Sequence, residues 1–206
     1  MITDKITVSA GHGTLNAAIE QAEKVALYKD LNAQQSMRLR LLAEEMTGLM
    51  NAVVGKREGV FWIENNDDRY ELHFNTNAML GDEKRQQLLS ASTTGKNEAA
   101  RGLIGKIVDF FTYTEDGDTP VFHTPLMLSG MSGSYHDYEW TSEYYYEWSL
   151  GQYRQEVDDA NQQASPTAEA KEAWDELEKS VIAHIADDVK VFIRGRQVEM
   201  TIYKKL

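Results

Sequence analysis

The apolar residues of this chain change their spacing once between Thr14 and Asn75, and that change restricts the folds open to it. From Thr14 to Tyr28, the residues Leu15, Ala18, Ile19, Ala22, Val25 and Ala26 recur at intervals of three and four, along one side of a helix. The segment KDLN breaks this pattern. A second helix is predicted from Ala33 to Val54, with Met37, Leu41, Leu42, Glu45, Leu49 and Val53 near one stripe and Gly55 suited to its C-cap. The period then falls to two in Gly59–Glu64 and Arg69–Asn75, on either side of NNDD, which is the pattern of a β-hairpin. Helices with one apolar stripe and strands with one apolar face bury those surfaces most simply against each other. The expectation is an α/β fold: a two-layer α/β sandwich with a mixed sheet, its helices on one face.

The remainder fits the same plan less regularly. Lys5 to Ser9 alternates as a short strand would. Asp82–Leu89 reads as a short helix, SASTTGKNEAA as a polar loop and Arg101–Phe111 as an apolar helix. Residues 112–166 form an aromatic-rich insertion expected to be irregular, with a polar loop near 157–167. A helix is predicted from Thr167 to about Ile185, with acid near its start as the helix dipole favours. A closing hairpin follows, Val189–Ile193 and Val198–Tyr203 across RGRQ. All 206 residues are expected to form one domain.

Composition excludes several functions. With no cysteine there is neither a disulfide framework nor a thiolate zinc site. A formal net charge of −12 repels phosphate backbones, so nucleic acid is not an expected partner. No apolar run approaches the roughly 20 residues that span a bilayer. The N-terminus lacks the basic and then apolar stretch of a signal peptide, so a cytoplasmic location without membrane association is expected. Against the acidic background, Lys84, Arg85, Lys96, Arg101 and Lys106 form a basic patch, which suits an anionic ligand or merely one helix and its loop.

The polar constellations are few. The five histidines are scattered, and His136, Asp137 and Glu139 lack a recognised metal spacing. The run Thr93–Thr94–Gly95–Lys96–Asn97, followed by Gly102 at a helix start, combines a permissive glycine, a cation and free helix N–H groups. That is either an anion site or a capped helix behind a loop. Glu44 and Glu45 are either a solvated acidic pair or magnesium ligands; Glu45, on the apolar stripe, is the better candidate. The aromatic run from Tyr135 to Tyr153 either stacks on a ligand or partner, or covers the sheet.

These segments resemble, in order, the histidine-kinase-like (Bergerat, or GHKL) ATPases and the anti-sigma-factor kinases among them. LRLLAEEMTGLMNAVVG looks like the helix carrying the magnesium-binding acid. GVFWIENNDDRYELHFNTNA follows as the hairpin, and STTGKNEAARGLIGKIVDFF is similar to the last ATP-binding box. The motifs are degenerate. In the family an Asn follows the Glu by four residues; here Gly48 and Leu49 stand at that distance and Asn51 is out of register. The strand that would end in Asp-x-Gly-x-Gly ends in Asn75–Thr76–Asn77, and the glycine box survives as Gly102 and Gly105. The resemblance implies a nucleotide-binding regulatory protein with ATP and Mg as cofactors. Asn51, Asn75, Asn77, Gly95, Lys96, Gly102 and Gly105 would face the nucleotide, and Glu44 or Glu45 the metal. The alternative is a catalytically inactive relative that binds a protein partner. A full kinase is not expected, since the chain shows no phosphoacceptor domain.

Overall fold

The computed structural model describes residues 1–8, 12–54, 58–77, 145–194 and 197–206. Their order is β1 (Ile6–Val8), α1 (His12–Tyr28), α2 (Ala33–Val54), β2 (Gly59–Asn66), β3 (Arg69–Asn77), β4 (Tyr145–Ser149), α3 (Leu150–Asn161), α4 (Ala168–Lys179), α5 (Val181–Ile185), β5 (Asp188–Arg194) and β6 (Gln197–Lys205). The expected helices at 82–89 and 101–111 lie outside the described residues.

The six strands form one sheet in the order β1-β2-β3-β6-β5-β4. Every neighbouring pair is antiparallel, so the sheet is not mixed as expected. The reason is its assembly: two hairpins, β2–β3 and β5–β6, join side by side through β3 and β6. The three-helix return from β4 to β5 also delivers an antiparallel neighbour.

The β2–β3 turn is two residues, Asp67 and Asp68, with Asp67 at φ 56°, a conformation that Asp tolerates. The buried Asn65 amide donates to the carbonyls of Asp67 at 2.8 Å and Arg69 at 3.2 Å, bracing the turn from within. At the α1–α2 corner, Asn32 and Gln35 exchange side chain-to-backbone hydrogen bonds of 3.0 and 3.1 Å, a reciprocal cap for α2.

Strand alternation divides the sheet into two faces. Phe61, Ile63, Leu72, Phe74, Val189, Val191, Val198, Met200 and Ile202 are buried on one. They share a single core with Ala18, Ala22, Val25 and Ala26 of α1, Leu39, Leu42, Ala43, Met46 and Leu49 of α2, and Leu150, Tyr153 and Val157 of α3. The described helices thus lie on one face. The buried stripe of α2 is turned from the expected one: Leu39, Ala43 and Met46 belong to it, whereas Met37 is 64% exposed.

The end of the expected irregular insertion is regular. Ser149 caps α3 by accepting from the Gln152 N–H at 3.2 Å, and Asp188 accepts from the Gly151 N–H at 2.9 Å. Residues 157–161, expected to be loop, continue this helix. Leu150, Tyr153, Val157 and Ala160 give it a buried stripe that the polar residues between them obscure. The predicted helix from Thr167 to Ile185 is broken at Ser180, which ends α4 and caps α5 through Ala183 N–H. Arg154 donates to the carbonyls of Ala183, Ala186 and Asp187, satisfying the end of α5.

Two glycines test this packing with opposite signs. Gly48 is exposed in the middle of α2, and a Cβ there meets nothing within 4 Å. Gly48→Ala should stabilise the protein by about 0.5–1 kcal/mol. A Cβ on Gly59 would run into the Phe74 ring across β2 and β3. Gly59→Ala should destabilise by about 1–3 kcal/mol. Urea denaturation of both variants checks this, and a destabilised Gly48→Ala would contradict the placement of α2.

Candidate functional site

Two places on the sheet bear on function. The first holds the residues expected around a nucleotide. On α2, Glu44 is exposed and Glu45 half-buried. Burial, and secondarily the charge of Glu44, pushes the Glu45 carboxyl above its ordinary value. Asn51 belongs to α2, but its side chain is outside the described part, and Gly95, Lys96, Gly102 and Gly105 lie outside the described residues altogether.

Asn75 and Asn77 sit on β3, where the residues facing the helices are Leu72, Phe74 and Thr76. Asn75 pairs in register with Val60 and Glu199, on the opposite face. The sheet therefore does not bring Glu45 and Asn75 to the same side. At the end of β3 the residue on the helix side is Thr76, buried, its hydroxyl donating to the Glu58 carbonyl at 2.8 Å. Period-two alternation from Leu72 and Phe74 was the signal that would have singled out Thr76.

The second place is the outer face of the sheet, which sequence reading did not single out. A row of residues runs across it in register: Trp62, His73, Thr201 and Lys190. The Trp62 and His73 rings stack with centroids 4.7 Å apart and planes 5° from parallel. Lys5 Nζ lies 4.3 Å from the centre of the Trp62 ring. The Thr201 hydroxyl meets His73 Nδ1 at 3.1 Å.

Three carboxylates surround the imidazole. Glu71 and Glu64 oxygens lie 3.6 and 3.9 Å from Nε2, and a Glu199 oxygen 3.8 Å from Nδ1. Burial lowers the His73 pKa below its ordinary value, against the upward pull of these glutamates. His73 is 9% exposed, and its buried Nε2 makes no hydrogen bond. Such a cluster was not legible in the sequence because its members are scattered from residue 62 to residue 201, and only strand register unites them.

No helix among the described residues is long and apolar enough to cross a membrane. No family profile, no curated protein and no solved structure matches this chain.

The raised Glu45 pKa has a definite consequence. In the folded chain Glu45 holds its proton to higher pH than in the unfolded chain, so stability falls as pH rises from the ordinary value of 4.5 through the folded-state value. Glu45→Gln removes this ionisation. It should stabilise the protein at pH 7 by no more than about 1 kcal/mol, seen as a higher melting temperature, and the gain should vanish near pH 4. A variant less stable than the parent at pH 7 would mean that ionised Glu45 has a favourable partner.

Proposed function

We propose that this chain is a histidine-kinase-like two-layer α/β sandwich that has lost nucleotide chemistry and acts as a protein-interaction scaffold. One observation carries the reading: Glu45 and Asn75 belong to opposite sides of the sheet. A nucleotide held by both would have to pass through β3. On the helix side, where the family resemblance implies an adenine-reading carboxylate, the strand offers Thr76, a neutral hydroxyl already engaged with Glu58. Losing a charge-assisted hydrogen bond costs on the order of 1.5–3 kcal/mol, or one to two decades of affinity. Within the aromatic run, Tyr153 belongs to the core and Trp148 packs against it.

A second reading, a regulatory protein that binds magnesium-ATP weakly, is favoured by Glu45. A half-buried acid whose ionisation is disfavoured gains from a nearby divalent ion. Titration calorimetry with magnesium-ATP separates the two. The scaffold reading expects no heat of binding and no rise in melting temperature at millimolar magnesium-ATP. Micromolar binding that Glu45→Gln weakens would overturn it in favour of the second reading.

A further inference from the structure

We propose that His73, Glu64 and Glu71 on the outer face of the sheet form a binding site for a divalent transition-metal ion of the zinc type, independent of any nucleotide.

The site begins with strand register. Glu64 and Glu71 are directly opposed across β2 and β3, and like charges so placed repel. Two residues along β3, His73 turns its buried Nε2 toward both carboxylates at 3.6 and 3.9 Å. That nitrogen makes no hydrogen bond although its residue is 9% exposed. A buried polar atom left so costs on the order of 1–3 kcal/mol. In the tautomer with its proton on Nδ1, Nε2 turns a lone pair toward two anions, the arrangement a cation would satisfy.

The spacing suits a metal. Bonds of about 2.0–2.2 Å to nitrogen and oxygen at a tetrahedral angle place the donor atoms roughly 3.4 Å apart. The observed separations exceed this by a few tenths of an ångström. Among the described residues, no three such side chains are already gathered as a metal cage. Closing the gap requires both carboxylates to move inward by a few tenths of an ångström, Glu64 at the expense of its Trp62 hydrogen bond; the two side chains are 40% and 26% exposed.

The surroundings orient the donors. The Thr201 hydroxyl, 3.1 Å from Nδ1, is able to accept an Nδ1–H, which would leave Nε2 as the free acceptor, the tautomer that binds a metal. Arg69 takes the Oε1 of Glu71 at 3.0 Å, leaving Oε2 toward His73. The Trp62 indole N–H donates to Glu64 at 2.8 Å while its ring stacks on the imidazole and fixes the plane. Imidazole with two carboxylates suits zinc, cobalt or manganese better than magnesium, which prefers oxygen alone. The ligand set lies on the face opposite Glu45, so nothing in it serves the helix side of the sheet.

Calorimetric titration of the full chain with zinc chloride, at pH 7 and after chelator treatment, tests the proposal. One zinc per chain should bind saturably, and the His73 Nε2 resonance should move in a long-range proton–nitrogen spectrum of the labelled protein. Glu71→Gln and Glu64→Gln remove the like-charge pair, so each variant should fold at least as well without metal and bind zinc at least tenfold more weakly. Thr201→Val, which acts through His73, should weaken binding about tenfold or more. Glu45→Gln should leave zinc binding unchanged, which separates this site from any metal on α2. Absence of saturable binding at 1 mM zinc (on the order of −4 kcal/mol) would overturn the proposal. So would binding that leaves His73 Nε2 unmoved, or that both glutamine variants retain.

Discussion

The pairing of β3 with β6 holds the rest of this structure in place. Nine register pairs, from Arg69↔Lys205 to Asn77↔Gln197, join two hairpins that lie far apart in the chain. Either hairpin alone would be marginal in water. Joined, they present one continuous apolar face on which the helices can pack. Loop-closure entropy rises only slowly with the length of the intervening chain, so the long separation is not in itself prohibitive. The register matters more than the distance. A slip of one residue would turn Leu72 and Phe74 away from the helices and Glu71 and His73 toward them.

The helical layer follows from that apolar face. The contact side of α1 is built largely from Ala18, Ala22 and Ala26, small residues that let it approach its neighbours closely. α2 carries the bulk, with Leu39, Leu42 and Met46 over β3 and β6, and α3 covers β4 and β5. The break at Ser180 lets the chain turn from α4 into the short α5 and then into β5. Arg154 closes this corner by donating to the carbonyls of Ala183 in α5 and of Ala186 and Asp187 just beyond it. Its guanidinium is partly desolvated there, a cost that the charges of Asp188 and Asp187 offset only in part.

Much of the fold was legible wherever a segment's periodicity was undiluted. The spacing of Ala18, Ala22, Val25 and Ala26 marked α1, and the alternation through Phe61, Ile63, Leu72 and Phe74 marked the first hairpin. Reading failed where polar residues shared a helix with a thin apolar stripe. In α3, Asp158, Asp159, Asn161 and Gln162 suggested a loop, yet Val157 and Ala160 are buried between and beside them. On α2, Met37 and Leu41 drew the stripe too far round, because two apolar residues at helical spacing look alike whether they face core or solvent. Antiparallel pairing throughout was not legible, since it depends on which strand meets which. For the candidate sites the limit was sharper. Residue identity singled out Asn75 and Asn77, but strand parity decides the face, and parity selects Thr76.

The two faces of the sheet place opposite demands on the same strands. On the helix side the strand residues are apolar or hydrogen-bonded, as stability alone would require. On the outer side, Glu64 opposes Glu71 directly, which costs on the order of 0.2–1 kcal/mol relative to neutral partners. Beside them, a nine-tenths-buried imidazole keeps one nitrogen without a hydrogen bond. Both features oppose folding in a protein whose whole margin is of the order of 5–15 kcal/mol. Arg69 and the Trp62 indole N–H each engage one of the carboxylates and reduce the repulsion, while Thr201 and the Trp62 ring hold the imidazole beside them. Structural packing explains the apolar strand residues of the inner face. It does not explain why the outer face sets two opposed carboxylates 3.6 and 3.9 Å from an imidazole nitrogen that makes no hydrogen bond.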